Sequence, residues 1–360
     1  MNGKKLLGVL LLVTMLVSIL CTASATAVDL NALTLDEITT KAKEEGDVQS
    51  VGMPDEWANW KATWNDLKEV YGITHGDVDM SSAEEIAMFD VEKNAPTKDI
   101  GDVGVSFGPV AIEKDVVQAY KTSYWDQVPD WAKDKEGYWM CPYYVTICFA
   151  GNMAYIDKMP TTWAELLEGN YKVSVGDVAR SSRPQLALLS AAVAFGGDEN
   201  NIMPGIEVFR KLAEQGRLDT GDDSRARIEK GEIELYITFD FLALEHKNNM
   251  PNLNLQISVP TDGAAVSAYA SVINKYAPHP HAAALAREYI FSDAGQINLA
   301  RGYARPIRVD NIKLPEDVAV NLLPSEMYTG TFTIKDNDAW SKTVAQMGQL
   351  WQEEVLAYLK

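Results

Sequence analysis

The sequence predicts an α/β protein in which two domains of the same class follow each other. Strand-like and helix-like segments alternate over residues 48–107, and the alternation starts again over residues 161–239. A nearly continuous apolar segment, residues 138–150, separates the two runs. About 330 residues follow a predicted leader, which is more than one compact core usually contains. We therefore expect two domains, each with a mostly parallel sheet flanked by helices.

The first 27 residues have the pattern of a secretory signal peptide. Lys4 and Lys5 precede an apolar run over residues 6–20, and small residues over 23–27 offer a cleavage site. We expect the mature protein to be secreted, periplasmic or at the cell surface. No later apolar run reaches the roughly 18 to 20 residues that span a bilayer.

Cys21 leaves a lipoprotein alternative open. In that case the chain would be cut before the cysteine and anchored by lipid. Leu20 fits poorly the small residue that such processing prefers. The sequence thus favours a cleaved leader over a lipid anchor.

The formal net charge is −19, which argues against nucleic acid and anionic membrane surfaces as partners. Exposed charges are screened beyond about 8 to 10 Å. The residues of a local cleft would therefore decide whether a ligand is an anion or a cation.

The first run begins with an amphipathic helix that Gly46 ends. In order, the pattern predicts a helix over 30–45, a strand over 48–51, a helix over 55–71, a strand near 78–80, a helix over 82–93 and a strand over 103–107. Ligands of parallel sheets bind outside the carboxyl ends of the strands. This rule directs attention to the loops 52–57, 80–82 and 106–109.

The segment 138–150 reads as one strand that is buried on both faces or passes between the domains, because it is almost wholly apolar and rich in β-formers. Cys141 and Cys148 lie seven positions apart in it. An odd spacing sends them to opposite faces of the strand, so we predict two unpaired, buried thiols.

The second run and the rest of the chain continue the α/β pattern. The predicted elements are helices over 161–168, 184–195, 204–215 and 221–231, strands over 173–175, 235–239 and 266–273, helices over 280–291 and 292–299, a turn over 302–308 and a last helix over 339–359. The last helix places Trp340, Met347, Trp351 and Val355 on one face, which is typical of a docking surface.

Residues 172–197 form a strand, a polar loop and a helix, an arrangement that can bind an anion. Free backbone N–H groups and the positive end of the helix dipole point the same way, beside Arg180, Ser181 and Ser182. The alternative is a plain helix cap in which Ser182 satisfies backbone donors. The sequence leaves both interpretations open.

Motifs of catalysis and metal binding are missing. The sequence contains no GxSxG, HExxH, CxxC, P-loop or GxGxxG pattern. His279 and His281 are the only histidines close in sequence, and the prolines around them favour a helix start over a zinc site. We expect no catalytic residue, no metal and no cofactor.

Six stretches together with the leader resemble a known family. They are SVGMPDEWANW (50–60), DMSSAEEI (79–86), DIGDVGVSFGPVA (99–111), TTWAELLEGNYKVSV (161–175), HAAALAREYIFSDAGQ (281–296) and GYARPI (302–307). Over nearly the whole mature chain they resemble an extracytoplasmic solute-binding protein of an ABC importer. The cluster in question serves ferric iron, polyamines, thiamine, phosphonates and sugar phosphates.

The resemblance implies the two-lobed periplasmic-binding-protein fold of type II, in which crossing strands form a hinge and the lobes close on a solute. Mapped by order, lobe 1 comprises residues 28–140 and 268–323, and lobe 2 comprises residues 141–267. Residues 324–360 form a C-terminal segment and helix that pack on lobe 2. The implied partners are a small charged solute and the membrane permease and ATPase, with the protein itself a monomer.

The family's ligand contacts map onto the loops already reached and onto two long strands. The positions are Met53, Pro54, Asp55, Ser81, Ser82, Phe107, Tyr143, Arg180, Ser181, Ser182, Asp240 and Tyr269. Structural interpretations stand beside them. Ser81, Ser82 and Glu85 also fit a capping box, Tyr143 a core residue and Asp240 a helix cap.

The family's iron binders have adjacent tyrosines where this chain has Phe239-Asp240-Phe241. Ferric iron held by paired phenolates is therefore doubtful. Arg180 and the serines suit an anion such as a phosphonate or phosphosugar, whereas Asp240 and Asp55 suit an ammonium group.

Three functions remain open at this point. The first is a solute-binding protein, which should bind a small charged molecule without turning it over. The second is a secreted enzyme on the same architecture, which turnover of a candidate solute would reveal. The third is a ligand-sensing subunit for a receptor, which the absence of neighbouring permease and ATPase genes would favour.

Overall fold

The computed structural model describes residues 28–179 and 181–360. The predicted leader with Cys21, and Arg180 in the candidate anion site, lie outside the described residues. Within the described part, no helix has the length and apolar character needed to cross a membrane.

The described residues alternate between helices and strands, as the sequence predicts. The α-helices are α1 (Leu35–Glu45), α2 (Trp60–Tyr71), α3 (Ser82–Val91), α4 (Phe107–Glu113), α5 (Trp163–Glu168), α6 (Ser182–Ala194), α7 (Met203–Glu214), α8 (Arg225–Glu229), α9 (Asp240–Asn249), α10 (Pro280–Phe291), α11 (Asp293–Arg301), α12 (Glu316–Ala319) and α13 (Asn337–Glu354). The strands are β1 (Asp47–Val51), β2 (Thr74–Val78), β3 (Ile100–Gly104), β4 (Val117–Gln118), β5 (Trp139–Asn152), β6 (Val173–Ser174), β7 (Leu218–Asp219), β8 (Leu235–Phe239), β9 (Leu255–Ser258), β10 (Ala264–Asn274), β11 (Arg305–Pro306) and β12 (Thr331–Thr333).

The sheet runs in the order β2-β1-β3-β10-β5-β8-β6-β7. Strands β2, β1 and β3 are parallel to one another, and so are β8, β6 and β7. The long strands β10 and β5 lie between these parallel groups and pair antiparallel with each other. We call β2, β1, β3 and β10 the first sheet segment, and β8, β6 and β7 the second sheet segment.

Strand β5 pairs with both segments and is buried between them, which accounts for its apolar sequence. Its first half pairs with β10, and residues 147–151 pair with β8. Cys141 and Cys148 are unpaired and buried, as predicted. Burial raises the pKa of both thiols well above its ordinary value, so they remain neutral in the core.

The charged segment 221–231 was expected to be one helix, but α8 covers only its second half. Its first residues form a loop instead. Asp219 accepts a hydrogen bond from the N–H of Gly221 at 2.7 Å, and Asp223 binds Arg183. Side-chain acceptors of this kind compete with helical hydrogen bonds, and charge pattern alone does not reveal the competition.

The C-terminal helix buries the predicted stripe against the second half of the protein. Trp351 packs on Phe209 of α7 with ring centroids 5.5 Å apart, and Arg210 binds Glu354. The preceding strand β12 pairs with the start of β10. The helix ends at Glu354, earlier than predicted, and Tyr358 beyond it is exposed.

Candidate functional site

Loops that follow strands of the two sheet segments contact each other. The loop after β1 and the start of α9 line one groove, and the β3–α4 connection and the start of α6 line a separate cavity. Trp57 from the first loop contacts Phe241 of α9, with ring centroids 4.9 Å apart. Residues that follow strands of the two segments therefore contact each other, and we call this region the cleft.

Trp57 is the aromatic centre of this cleft. Besides Phe241, its ring contacts Tyr269 of β10 at 5.4 Å between centroids. Its Nε1 donates a hydrogen bond to the hydroxyl of Tyr143 at 2.7 Å. Trp57 thus connects the loop after β1 to the long strands β5 and β10 and to helix α9, which follows β8 of the second segment.

Tyr143 lies behind the cleft and is fully buried. Its hydroxyl donates to the carboxyl of Asp102 at 2.6 Å, and its ring stacks on Tyr269 at 5.6 Å. Burial raises the pKa of Asp102 to about 8. The structure therefore places Tyr143 as a support for Trp57 and Tyr269, both of which are nearer the cleft.

A strained turn fixes the position of Trp57. Ala58 and Asn59 have φ values of 49° and 58°, in the left-handed region that non-glycine residues rarely adopt. Gly302 packs on this turn so closely that a Cβ there would lie 2.5 Å from the carbonyl carbon of Ala58. The GYARPI stretch of the sequence thus acts as a structural support beside the cleft.

The loop residues Met53, Pro54 and Asp55 divide between core and surface. Met53 is fully buried, and its N–H donates to Asp77 at 3.1 Å. Pro54 and Asp55 line an open groove of about 800 Å³, together with Trp57 and Phe241. Of the three predicted contacts in this loop, Pro54 and Asp55 are accessible from the groove, whereas Met53 is not.

Ser81 and Ser82 organise the start of α3. Ser81 forms a capping box with Glu84, whose carboxylate accepts from the Ser81 N–H at 2.9 Å and hydroxyl at 2.6 Å. The expected partner, Glu85, is instead buried, because it lies on the inward face of the helix. Ser82 accepts a hydrogen bond from the N–H of Gly104 at 3.0 Å and so ties α3 to the end of β3. Phe107 begins α4 and is half-buried.

Ser181 and Ser182 are exposed at the start of α6. Ser181 occupies the cap position, yet its hydroxyl does not accept a capping hydrogen bond from the described residues of the helix. Arg183 binds other protein groups: its Nη1 donates hydrogen bonds to the carboxylate of Asp223 at 2.5 Å and to the hydroxyl of Thr238 at 2.8 Å. The serine hydroxyls thus remain available at this helix start.

Asp240 is buried. Its carboxylate accepts from the N–H of Thr146 at 3.0 Å and from the hydroxyl of Tyr328 at 2.8 Å. Burial raises its pKa to about 6 despite these donors. Because its oxygens are occupied within the protein, we leave Asp240 out of the contacts that we propose for a ligand.

A cavity of about 130 Å³ opens beside the cleft. We call it the serine–tryptophan cavity, because its walls include Ser106, Ser182, Ser267, Trp131, Trp139 and Trp340. They come from the β3–α4 connection, α6, β10, the segment before β5, the first residue of β5, and α13. None of the described lining residues is charged.

Most of these residues were not predicted as contacts. One signal was present for Ser267, since it lies two positions before Tyr269 and shares that face of β10. Ser106 follows the end of β3, where ligand loops are expected. No local pattern marks Trp340, because β12 pairing on β10 brings α13 to the cavity.

Gly108→Ala should disturb this cavity. A Cβ at Gly108 would lie 2.7 Å from the ring of Trp139, so the ring must shift. We expect a loss of about 1 to 3 kcal/mol in the free energy of unfolding, measured by urea denaturation. Gly104→Ala is the control, because its Cβ would meet only ordinary contacts at 3.9 Å. Equal stability of the two variants would contradict the prediction.

The described residues contain no group of three or more His, Cys, Asp or Glu side chains that could hold a metal ion. The site is built from aromatic rings, hydroxyls and backbone.

Comparison with known proteins gives one family. The sequence model described as bacterial extracellular solute-binding protein matches residues 95–343. No curated protein matches the sequence at a significant level.

Solved structures share the fold at low sequence identity. The spermidine/putrescine ABC transporter substrate-binding protein PotD from Streptococcus pneumoniae has a TM-score of 0.70 and 16% identity, over 87% of this chain and 99% of its own. The periplasmic binding protein AfuA from Actinobacillus pleuropneumoniae, with fructose-6-phosphate bound, has a TM-score of 0.64 and 17% identity, over 86% and 98%. An ABC transporter protein from Clostridium perfringens has a TM-score of 0.65 and 17% identity, over 86% and 99%.

Proposed function

Since the chain belongs to the family of bacterial extracellular solute-binding proteins, we propose that it is the substrate-binding component of an ABC importer. It captures a small charged solute between its two sheet segments and delivers it to a membrane permease and ATPase. The observation that carries this proposal is the contact of Trp57, from the loop after β1, with Phe241 of α9, beside an open groove that both residues line.

The segments correspond to two lobes under this proposal. Lobe 1 comprises residues 28–140 and 268–323, lobe 2 comprises residues 141–267, and residues 324–360 pack on lobe 2. Strands β5 and β10 are the crossing connections, and rotation about them opens the cleft. In the open state the ring of Trp57 separates from Phe241, which admits the solute.

The proposed solute carries charge. The free energies of single contacts indicate which residues are needed to bind it. Binding near 1 μM requires about −8 kcal/mol, while a helix end supplies roughly 0.3 to 1 kcal/mol and at most about 2. Charge-assisted hydrogen bonds of about 1.5 to 3 kcal/mol from Arg180, with the hydroxyls of Ser181 and Ser182, would supply the remainder for an anion. Asp55 offers the corresponding contact for an amine at the groove.

Ligand binding should raise the melting temperature of the purified protein. Stabilisation amounts to about 2.7 kcal/mol at one hundred times Kd. We expect a shift from at least one member of a panel of phosphosugars, phosphonates, polyamines and thiamine, and native mass spectrometry should detect retained solute. A panel without any shift, or turnover of the binding member, would contradict the proposal.

The charge of the solute can be tested at α6. For an anionic solute, Arg180→Ala combined with Ser181→Ala should weaken binding at least tenfold, measured by calorimetry. Arg210→Ala is the matched control, because Arg210 pairs with Glu354 and lines neither the groove nor the serine–tryptophan cavity. Unchanged affinity in the double variant would reduce the start of α6 to a structural element.

A further inference from the structure

We infer that the serine–tryptophan cavity is a subsite for an uncharged, hydroxylated ring or chain of the solute. This inference rests on the proposed function. It concerns the uncharged part of the solute, whereas the proposed contacts of Arg180 and Asp55 concern its charged group. The solute would then be a hydroxylated compound with one anionic group, such as a sugar phosphate or a sugar acid.

The first support is hydrogen-bonding capacity without internal partners. Within the described residues, the hydroxyls of Ser106, Ser182 and Ser267 make no hydrogen bond to the protein, and the Asn337 side chain makes none either. The four groups come from separate elements yet line the same cavity. A hydroxyl both donates and accepts, so these groups match a ligand that carries several hydroxyls.

The second support is the aromatic wall. Trp340 is 7% exposed and Trp131 is 40% exposed, and both line the cavity with Trp139. The ring of Trp139 packs against Gly108, because a larger residue at position 108 would collide with the ring. Flat apolar faces beside hydroxyl groups suit a ring with apolar C–H faces and polar edges.

The third support is the lack of charge among the described lining residues. An ammonium group placed there would lose its hydration without gaining a carboxylate, which is unfavourable. A linear polyamine therefore fits poorly. The anionic group of the solute would lie outside the cavity, toward the start of α6, where Ser182 belongs to both regions.

The size of the cavity is consistent with part of one sugar ring or chain. The cavity measures about 130 Å³, and a cavity of about 150 Å³ is known to hold a benzene molecule. A hexose has about twice as many heavy atoms as benzene, so the cavity would hold only part of one sugar ring or chain, and the remainder would lie outside it. A disaccharide would have to extend into the open groove.

Two matched pairs of probes test the inference by calorimetry. They are a hexose 6-phosphate against inorganic phosphate, and gluconate against acetate, with putrescine as a cationic probe. We expect the hydroxylated member of at least one pair to bind at least one hundredfold more tightly than its small partner. The pair that shows the difference identifies the anionic group as phosphate or carboxylate.

The Ser267→Val variant then tests whether the tighter binding of the hydroxylated probe depends on the cavity. The variant keeps a β-compatible side chain in β10 but loses the hydroxyl, and it should weaken the hydroxylated probe about tenfold while leaving the small anion unchanged. Ser341→Val, at an exposed position next to Trp340 on α13, is the matched control and should change neither. The melting temperature of each unliganded variant shows whether it is folded.

The outcomes separate this inference from the proposed function. Equal binding of both members of each pair, binding of putrescine alone, or an unaffected Ser267→Val variant would overturn the inference while the solute-binding function stands. If no probe and no member of the wider solute panel binds, the proposed function fails, and the inference fails with it.

Discussion

The Glu85→Gln variant is expected to be more stable than the wild-type protein at pH 8, by about 2 kcal/mol or more. Glu85 is 1% exposed, and its Oε2 has no hydrogen-bond partner among the described residues. Its carboxyl lies between two glycines: a Cβ at Gly52 would be 2.4 Å from it, and a Cβ at Gly101 2.8 Å. Burial, and then the nearby Asp102, raise its pKa to about 10. The folded protein therefore keeps a proton that the unfolded chain releases.

The sign of the pH dependence follows from that proton. Between about pH 4.5 and pH 10 the folded state binds more protons at Glu85 than the unfolded state. The free energy of unfolding therefore falls as the pH rises, by up to about 1.4 kcal/mol per pH unit for this one group. Glutamine is neutral at every pH and removes this contribution. Urea denaturation at pH 5.5 and 8.5 should show a smaller loss of stability in the variant.

Glu84→Gln is the matched control from the same helix. Glu84 is exposed, and its hydrogen bonds with Ser81 lower its pKa. Its contribution is therefore present above its unfolded pKa and is lost only in acid, the opposite sign to Glu85. The control variant should be no more stable than the wild type at pH 8. Identical pH profiles for the two variants would show that Glu85 is ionised in the folded protein.

Arg287→Leu is expected to destabilise the protein by about 3 kcal/mol or more. Arg287 is fully buried in α10, and burial lowers its pKa to about 9. Its guanidinium donates to the carbonyls of Tyr120, Gly137 and Ser271 at 2.8 to 3.2 Å. Leucine would remove these three hydrogen bonds within the core, although the carbonyl of Gly137 keeps the N–H of Tyr120 as a donor at 3.0 Å. The desolvation of the arginine itself offsets part of this loss.

Thermal and urea unfolding of Arg287→Leu would measure this effect. The control is Arg301→Leu, because Arg301 is 46% exposed and its ion pair with Asp317 lies at the surface. The control should change stability by no more than about 0.5 kcal/mol. Comparable losses in the two variants would show that the buried guanidinium is not what holds α10 to the sheet.

Much of the fold followed from local pattern. The alternation of segments indicated the α/β class, and the two-sided apolar character of β5 indicated a strand shared by two parts of the sheet. The family model and the solved structures confirm the fold class. The sequence also predicts ligand loops at the strand ends, because chain direction within a parallel sheet fixes which ends face a ligand, and this location stays a prediction.

Residue-level roles did not follow equally well. Ser81 caps α3 with Glu84 rather than Glu85, since a shift of one position turns a side chain from solvent to core. Asp240 follows a strand, as a ligand residue would, yet internal donors occupy it. Whether the charged loop residues bind a solute stays a prediction, and Arg180 lies outside the described part of the chain.

The sequence by itself determined the class of fold, the shared strand β5, its two buried unpaired thiols and the loops in which a ligand site should be sought. These depend on periodicity and on residue type, which act over a few neighbouring positions. Only the tertiary structure decided that Trp57 meets Phe241 and that Ser106, Ser267 and Trp340 share one cavity. Those contacts join residues between 73 and 234 positions apart, and strand register and helix packing set them. Local pattern does not encode that packing, and for this reason the cavity emerged from the fold.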